Sequence, residues 1–161
     1  NFLSILGHIN EEYQYFSLIL FAVYLAFYKF NQSPAKIFLG DVGSIPSGYL
    51  VGFIMISCLL TNGILLPIII VNMYYILDSS ITLLIRFYKR DNVLEAHSDH
   101  FYQKMIRKGY QHSYVIKWIF ALNSILLILS LVSMKLPIIS FILSILFTTG
   151  LLYLFYIKKE I

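Results

Sequence analysis

The sequence predicts an all-α, polytopic helical membrane protein with about five transmembrane helices. Three observations carry that expectation. Of 161 residues, 59% are hydrophobic and only 12% charged, about half the charge of an average soluble domain. The mean hydropathy of +0.78 marks more apolar surface than so short a chain can bury in a core, so lipid must cover the rest. The charges are also gathered between uncharged runs. Residues 42–77 carry none, which is too long for a single crossing of about 20 residues.

The spans follow in order. Residues 13–30 form the first, with aromatic residues at both ends. Thr61-Asn62-Gly63 breaks the long uncharged run, giving spans over 47–60 and 64–85, with Pro67 expected to kink the latter. Lys135 and Pro137 divide the remaining apolar sequence into spans over 115–134 and 136–157. Residues 1–161 thus read as one membrane domain, with loops over about 31–46 and 86–113. Asn72, Asn123 and the serines and threonines of the spans are expected to hydrogen-bond between helices. No fixed period recurs, which argues against a solenoid and a membrane barrel.

Lys and Arg placement sets the orientation. Lys29 and Lys36 flank the first loop, Arg86, Lys89, Arg90, Lys104, Arg107, Lys108 and Lys117 lie in or beside the second, and Lys158 and Lys159 follow the last span. Only Lys135 lies on the other side, with His8, Glu11 and Glu12. The loops are therefore expected in the cytoplasm and the spans in the cell (inner) membrane. The net charge of +4 then reads as topology and contact with anionic headgroups, not nucleic acid. Cys58, the single cysteine, excludes an internal disulfide. The opening Asn1-Phe2, without a signal-peptide pattern, reads as a fragment or processed product.

Two clusters carry chemistry. Phe38-Leu39-Gly40-Asp41-Val42-Gly43-Ser44 sets one carboxylate between glycines beside a membrane. Such a carboxylate is costly to desolvate unless it is paired or holds a metal. It reads either as a site for a phosphate with its Mg²⁺ or as a helix start capped by Asp and Ser. In the second loop His97 and His100 stand three apart, so on a helix they would share a face. With Arg86, Lys89 and Arg90 they read as a cationic wall for phosphates or a sugar nucleotide, as a His-x-x-His metal site, or as a solvated basic loop. Asp78 lies within a span, where a carboxylate is a functional candidate; a structural role between helices ranks just ahead of a catalytic one.

Taken together, Asn31-x-x-Pro34-Ala35-x-x-Phe38-x-Gly40-Asp41-x-Gly43-Ser44 and Ala96-His97-x-x-His100-x-Tyr102-Gln103 resemble one family, the polyprenyl-phosphate N-acetylhexosamine-1-phosphate transferases. This family includes the undecaprenyl-phosphate GlcNAc-1-phosphate transferases and the phospho-N-acetylmuramoyl-pentapeptide transferases. Asp78-x-x-x-Thr82-Leu83-Leu84-x-Arg86 and Arg107-Lys108-Gly109-Tyr110-Gln111-His112-Ser113 resemble its bacterial O-antigen-type branch, which serves lipopolysaccharide and cell-wall synthesis. The resemblance runs from about Asn31 to Ser113. It implies Mg²⁺-dependent transfer of a phosphosugar from a UDP-N-acetylhexosamine to a polyprenyl (undecaprenyl) phosphate, with UMP leaving. It also implies roles for residues. Asp41 would be a Mg²⁺ ligand, Phe38 would pack on the uracil, and Gly40, Gly43 and Ser44 would shape the nucleotide pocket. His97 and His100 would line the sugar–phosphate side, with Arg86 and Gln103 as further substrate contacts.

The sequence departs from the family in lacking its earlier Asp-Asp pair and Asp-Gly motif, and in having Ser98 where many relatives carry Arg. It is therefore expected to be the C-terminal half of such an enzyme, inactive without the N-terminal half. The rival readings are a non-enzymatic transporter or assembly subunit using Asp41 and Asp78 as polar pathway residues, and an inactive remnant of a split transferase gene.

Overall fold

A computed structural model describes residues 11–32, 35–92, 95 and 97–158. His8, Pro34, Ala96 and Lys159 lie outside these residues. The chain divides between Leu65 and Leu66 into two compact units.

The first unit is a helical hairpin. Helix α1, Glu11–Asn31, leads through a short loop into α2, Gly40–Asn62. The Asn31 side-chain amide donates to the Ile37 carbonyl at 3.0 Å, and the Lys36 N–H donates to the Phe30 carbonyl at 2.8 Å. These bonds fold the loop back over the end of α1. Helix α2 begins seven residues before the expected span, so the Gly-Asp-x-Gly-Ser segment is helical and not a loop. The early start sets Asp41 in the first turn, where the helix dipole favours a carboxylate. At its other end α2 stops where expected. Gly63, at φ +64°, takes the left-handed C-terminal position and its N–H donates to the Leu59 carbonyl.

The second unit contains helices α3 (Leu65–Val71, beginning one residue before the division), α4 (Met73–Tyr88), α5 (Phe101–Arg107), α6 (His112–Val132) and α7 (Pro137–Ile157). The expected single span over 64–85 is broken: α3 and α4 meet at a bend of 67°. The bend lies at Asn72, not at Pro67. Pro67 sits in the first turn of α3, where a missing N–H costs no helical hydrogen bond.

The core of this unit joins Met73 and Tyr74 of α4 and Phe101 and Met105 of α5 to Val115, Leu122 and Leu126 of α6 and Leu151, Leu152 and Phe155 of α7. Ser140, Ser144 and Thr148 lie fully buried at four-residue intervals along α7, and such small residues let neighbouring helices approach closely. The span hydroxyls and amides mostly bond within their own helix, contrary to expectation. Asn123 donates to the Ile119 carbonyl, Ser124 to Phe120 and Asn72 to Ile68. Ser130 does cross between helices, donating to the Pro67 carbonyl at 2.9 Å. The local bond prevails because the carbonyl four residues back is always within reach.

Among the described residues, three helices are long and apolar enough to cross a membrane, namely α2, α6 and α7; the bent α3–α4 pair is a fourth if it forms one broken span. Helix α1 has the length of a span, 21 residues, but Glu11, Glu12, Gln14 and Lys29 dilute its hydropathy. Residues such as Phe120, Ile138 and Tyr156 point outward, as lipid-facing side chains do. The chain is a multi-pass helical membrane protein.

Candidate functional site

Helix α4 builds the site in the second unit. Tyr74, Asp78, Thr82 and Arg86 recur every four residues and all are buried, while Leu83, Leu84 and Phe87 face outward. Polar residues inward and apolar residues outward is the arrangement that a lipid solvent imposes.

Asp78, only 4% exposed, sits beneath the histidine segment. Its Oδ1 accepts the Phe101 N–H at 3.1 Å, which satisfies a free donor at the start of α5, and the Thr82 hydroxyl at 3.5 Å. Its Oδ2 lies 3.2 Å from His100 Nδ1. The two histidines do not share a helix face. His97 lies in the loop and His100 is the N-cap of α5, with extended ψ of 149°. Their rings still meet, with centroids 5.1 Å apart, and Tyr102 stacks on His100 at 6.1 Å. Gln103 turns back to the chain, its side-chain oxygen accepting the His100 N–H at 3.2 Å.

Arg86 is turned inward, away from the role its sequence position suggests. The guanidinium is nearly buried and donates to the Asn92 carbonyl at 2.5 Å and the Glu95 carbonyl at 3.3 Å, with Asp99 at 3.9 Å. One planar fork therefore gathers the loop between α4 and α5. Arg107 closes the loop from the far side, donating to Ser98 Oγ at 3.2 Å and Asp99 Oδ1 at 3.3 Å. Desolvation pushes the Asp99 carboxyl upward. The Arg107 hydrogen bond and the charges of Lys104, Arg107 and Arg86 outweigh it and hold Asp99 below the usual carboxylate range.

The helices on either side of this loop, α4 and α5, both end in backbone turns. After α4, Arg90 adopts φ +61° and the Asp91 N–H returns to the Arg86 carbonyl at 3.0 Å. After α5, Gly109 adopts φ +93° and the Tyr110 N–H returns to the Met105 carbonyl at 3.3 Å. Both are Schellman endings. Glycine takes the left-handed position freely, whereas Arg90 pays about 1–2 kcal/mol for it. Lys108 next to Gly109 is also structural. Its ammonium donates to the Phe155, Tyr156 and Lys158 carbonyls and so caps α7.

The first unit holds the other candidate residues at the start of α2. Leu39, not Asp41, is the N-cap residue, and Asp41 follows in the first turn with its side chain exposed. Gly40, at φ +59°, makes the turn into the helix. A Cβ at Gly43 would stand 2.5 Å from the Leu39 side chain, which would have to shift to admit it. Phe38 is 78% exposed, and Ser44 also faces outward. Among the described residues no three His, Cys, Asp or Glu side chains gather as a metal site. Asp41 can thus offer a cation one carboxylate. Mg²⁺ is commonly held by one or two carboxylates completed by substrate phosphates, so that donor set fits.

The sequence model of glycosyl transferase family 4 matches residues 2–59, the stretch that contains Phe38, Gly40, Asp41, Gly43 and Ser44. This stretch is a glycosyl transferase family 4 segment. The chain is also 30% identical over 121 residues to a probable undecaprenyl-phosphate N-acetylglucosaminyl 1-phosphate transferase of Bacillus subtilis, covering 69% of this chain and 34% of the relative. A phospho-N-acetylmuramoyl-pentapeptide-transferase of Lactococcus lactis is 32% identical over 89 residues, covering 54% of this chain and 26% of the relative. One of the same name from Prochlorococcus marinus is 36% identical over 83 residues, 50% of this chain and 22% of the relative. The chain thus spans about a third or less of each family relative. No solved structure matches it significantly.

Asp78, Asp99 and Arg107 hold the histidine segment of this chain, yet the sequence alone did not assign them to the site. The signal was partly there: Asp78, Thr82 and Arg86 share one helical face with four-residue spacing.

Proposed function

We propose that the chain is part of a phosphoglycosyl transferase that moves a phospho-N-acetylhexosamine from a UDP-sugar to a polyprenyl phosphate, with release of UMP, in cell-envelope polysaccharide synthesis. The observation that carries this reading is the family segment over residues 2–59, with its exposed Asp41 in the first turn of a membrane-length helix. The names of the relatives supply the reaction class. A polyprenyl substrate also calls for a site at the bilayer surface.

Asp41 would hold Mg²⁺. A bound Mg²⁺ would neutralise phosphate charge and orient the diphosphate, which is most of what phosphoryl transfer demands. Phe38 offers an exposed ring for a base to stack on, and Gly40, Gly43 and Ser44 let a nucleotide approach the backbone. His97 and His100 would hydrogen-bond the sugar–phosphate portion. Gln103 and Arg86 serve this surface from behind by shaping the loop. Asp78 has structural partners in Phe101 and His100, which speaks against its use as a free carboxylate along a transport pathway.

The test is reconstitution. Joined to an upstream segment carrying the family's paired acidic motif, the chain should release UMP from a UDP-N-acetylhexosamine only when polyprenyl phosphate and Mg²⁺ are both present. The 161-residue chain alone should not. No UMP release from the joined protein, properly inserted, would sink the reading.

The catalytic loops would face the cytoplasm. In a Cys58→Ser background, Asn92→Cys should resist impermeant thiol reagents in sealed cells and react once the cells are opened. Labelling from outside would reverse the orientation.

A further inference from the structure

The two histidines are held by unlike groups, and this decides what each can offer a ligand. His97 Nδ1 accepts the Asp99 backbone N–H at 3.4 Å. A ring nitrogen that accepts carries no hydrogen, so the His97 proton belongs on Nε2. His100 is held from the opposite side. Its Nδ1 is buried and lies 3.2 Å from Asp78 Oδ2, without a hydrogen bond of standard geometry.

Two neighbours compete for that nitrogen. As N-cap of α5, His100 turns its side chain toward the Gln103 N–H in a capping box, which favours a bare Nδ1. The Asp78 carboxylate favours a protonated one, because two lone pairs facing each other at this distance repel. The charged partner prevails, since a carboxylate at this distance attracts a ring N–H and repels a bare ring nitrogen even without a straight hydrogen bond. Asp78 is itself fixed, with Oδ1 engaged by Phe101 and Thr82.

We propose that Asp78 is a positioning residue that keeps the His100 proton on Nδ1, so that the paired rings present unlike atoms: an Nε2–H donor from His97 and an Nε2 acceptor from His100. This rests on the reading of the two histidines as substrate-facing. With ring centroids 5.1 Å apart, the pair suits an acceptor oxygen beside a hydroxyl or amide N–H. An N-acetylhexosamine phosphate carries both. An ionised diphosphate carries acceptors only and would engage His97 alone.

The test reads the protons directly. The chain with isotope-labelled histidine, in detergent micelles and mildly alkaline buffer, is examined by long-range hydrogen–nitrogen correlation of the rings. His97 should show the Nε2–H pattern and His100 the Nδ1–H pattern. In Asp78→Asn the amide oxygen can still accept the Phe101 N–H, but the charge is gone. His100 should then change to Nε2–H, as the Gln103 N–H takes over Nδ1, and His97 should stay as it was. Two wild-type rings of the same form would overturn the proposal, whether or not the variant folds. So would an unchanged His100 in a helical Asp78→Asn protein. No substrate is present, so failure here is distinct from failure of the transferase reading, which would appear as absent UMP release.

Discussion

In a chain joined to an upstream segment carrying the paired acidic motif, Asp41→Asn is expected to lower UMP release by a hundredfold or more while leaving membrane insertion and helix content unchanged. A Mg²⁺ ligand that becomes a neutral amide forfeits several kcal/mol of charge stabilisation, and about 2.7 kcal/mol is already a hundredfold in rate. The structural alternative predicts far less. Asp41 is not the N-cap of α2, a position held by Leu39, so no capping bond is at stake. What a structural Asp41 would lose is its favourable place at the helix dipole, about 0.3–1 kcal/mol at an exposed position. UMP release is measured beside the thermal midpoint of the same sample in detergent. If the Asn variant keeps activity within a few-fold of the parent, Asp41 holds no cation in the reaction.

The second large effect is expected at Arg86. Replacing it with Met keeps much of the volume but removes the donors to the Asn92 and Glu95 carbonyls, and leaves Asp99 with Arg107 as its ion-pair partner. Hydrogen bonds to a charged group contribute about 1.5–3 kcal/mol each, so losing the two should release the loop. Hydrogen exchange should show the backbone amides of Asn92, Glu95, Ser98 and Asp99 opening about a hundredfold more readily. Leu122, Leu126 and Leu152, in the core of the unit, should keep their protection. Arg86→Lys should not restore the loop, because a single ammonium cannot imitate a planar fork bound to two separate carbonyls. Unchanged exchange with lost transfer would instead make Arg86 a direct substrate contact, as the sequence suggests.

The sequence by itself determined that this is a helical membrane protein. It set where α2 must end, because only glycine takes the left-handed turn at Gly63 cheaply, and it marked two polar clusters as candidates for a site. These are local or compositional properties. A left-handed turn, a charge-free run or a carboxylate among apolar residues is decided within a few positions of the chain.

What only the tertiary structure decided involves partners far apart in sequence or a choice between faces. Asp78 meets the Phe101 N–H across 23 positions, and no pattern within α4 names that partner. The charge of Arg86 suggested an outward phosphate contact. The carbonyls of the following loop could bind that charge as well, and burial gave it to them. The pairing of His97 with His100 came from a loop folded over Asp78 and not from helical spacing, because Arg86 and Arg107 draw the loop from both sides. Local preference states what a segment can form. Which of several satisfiable partners a buried charge takes depends on what the rest of the fold brings within hydrogen-bonding distance.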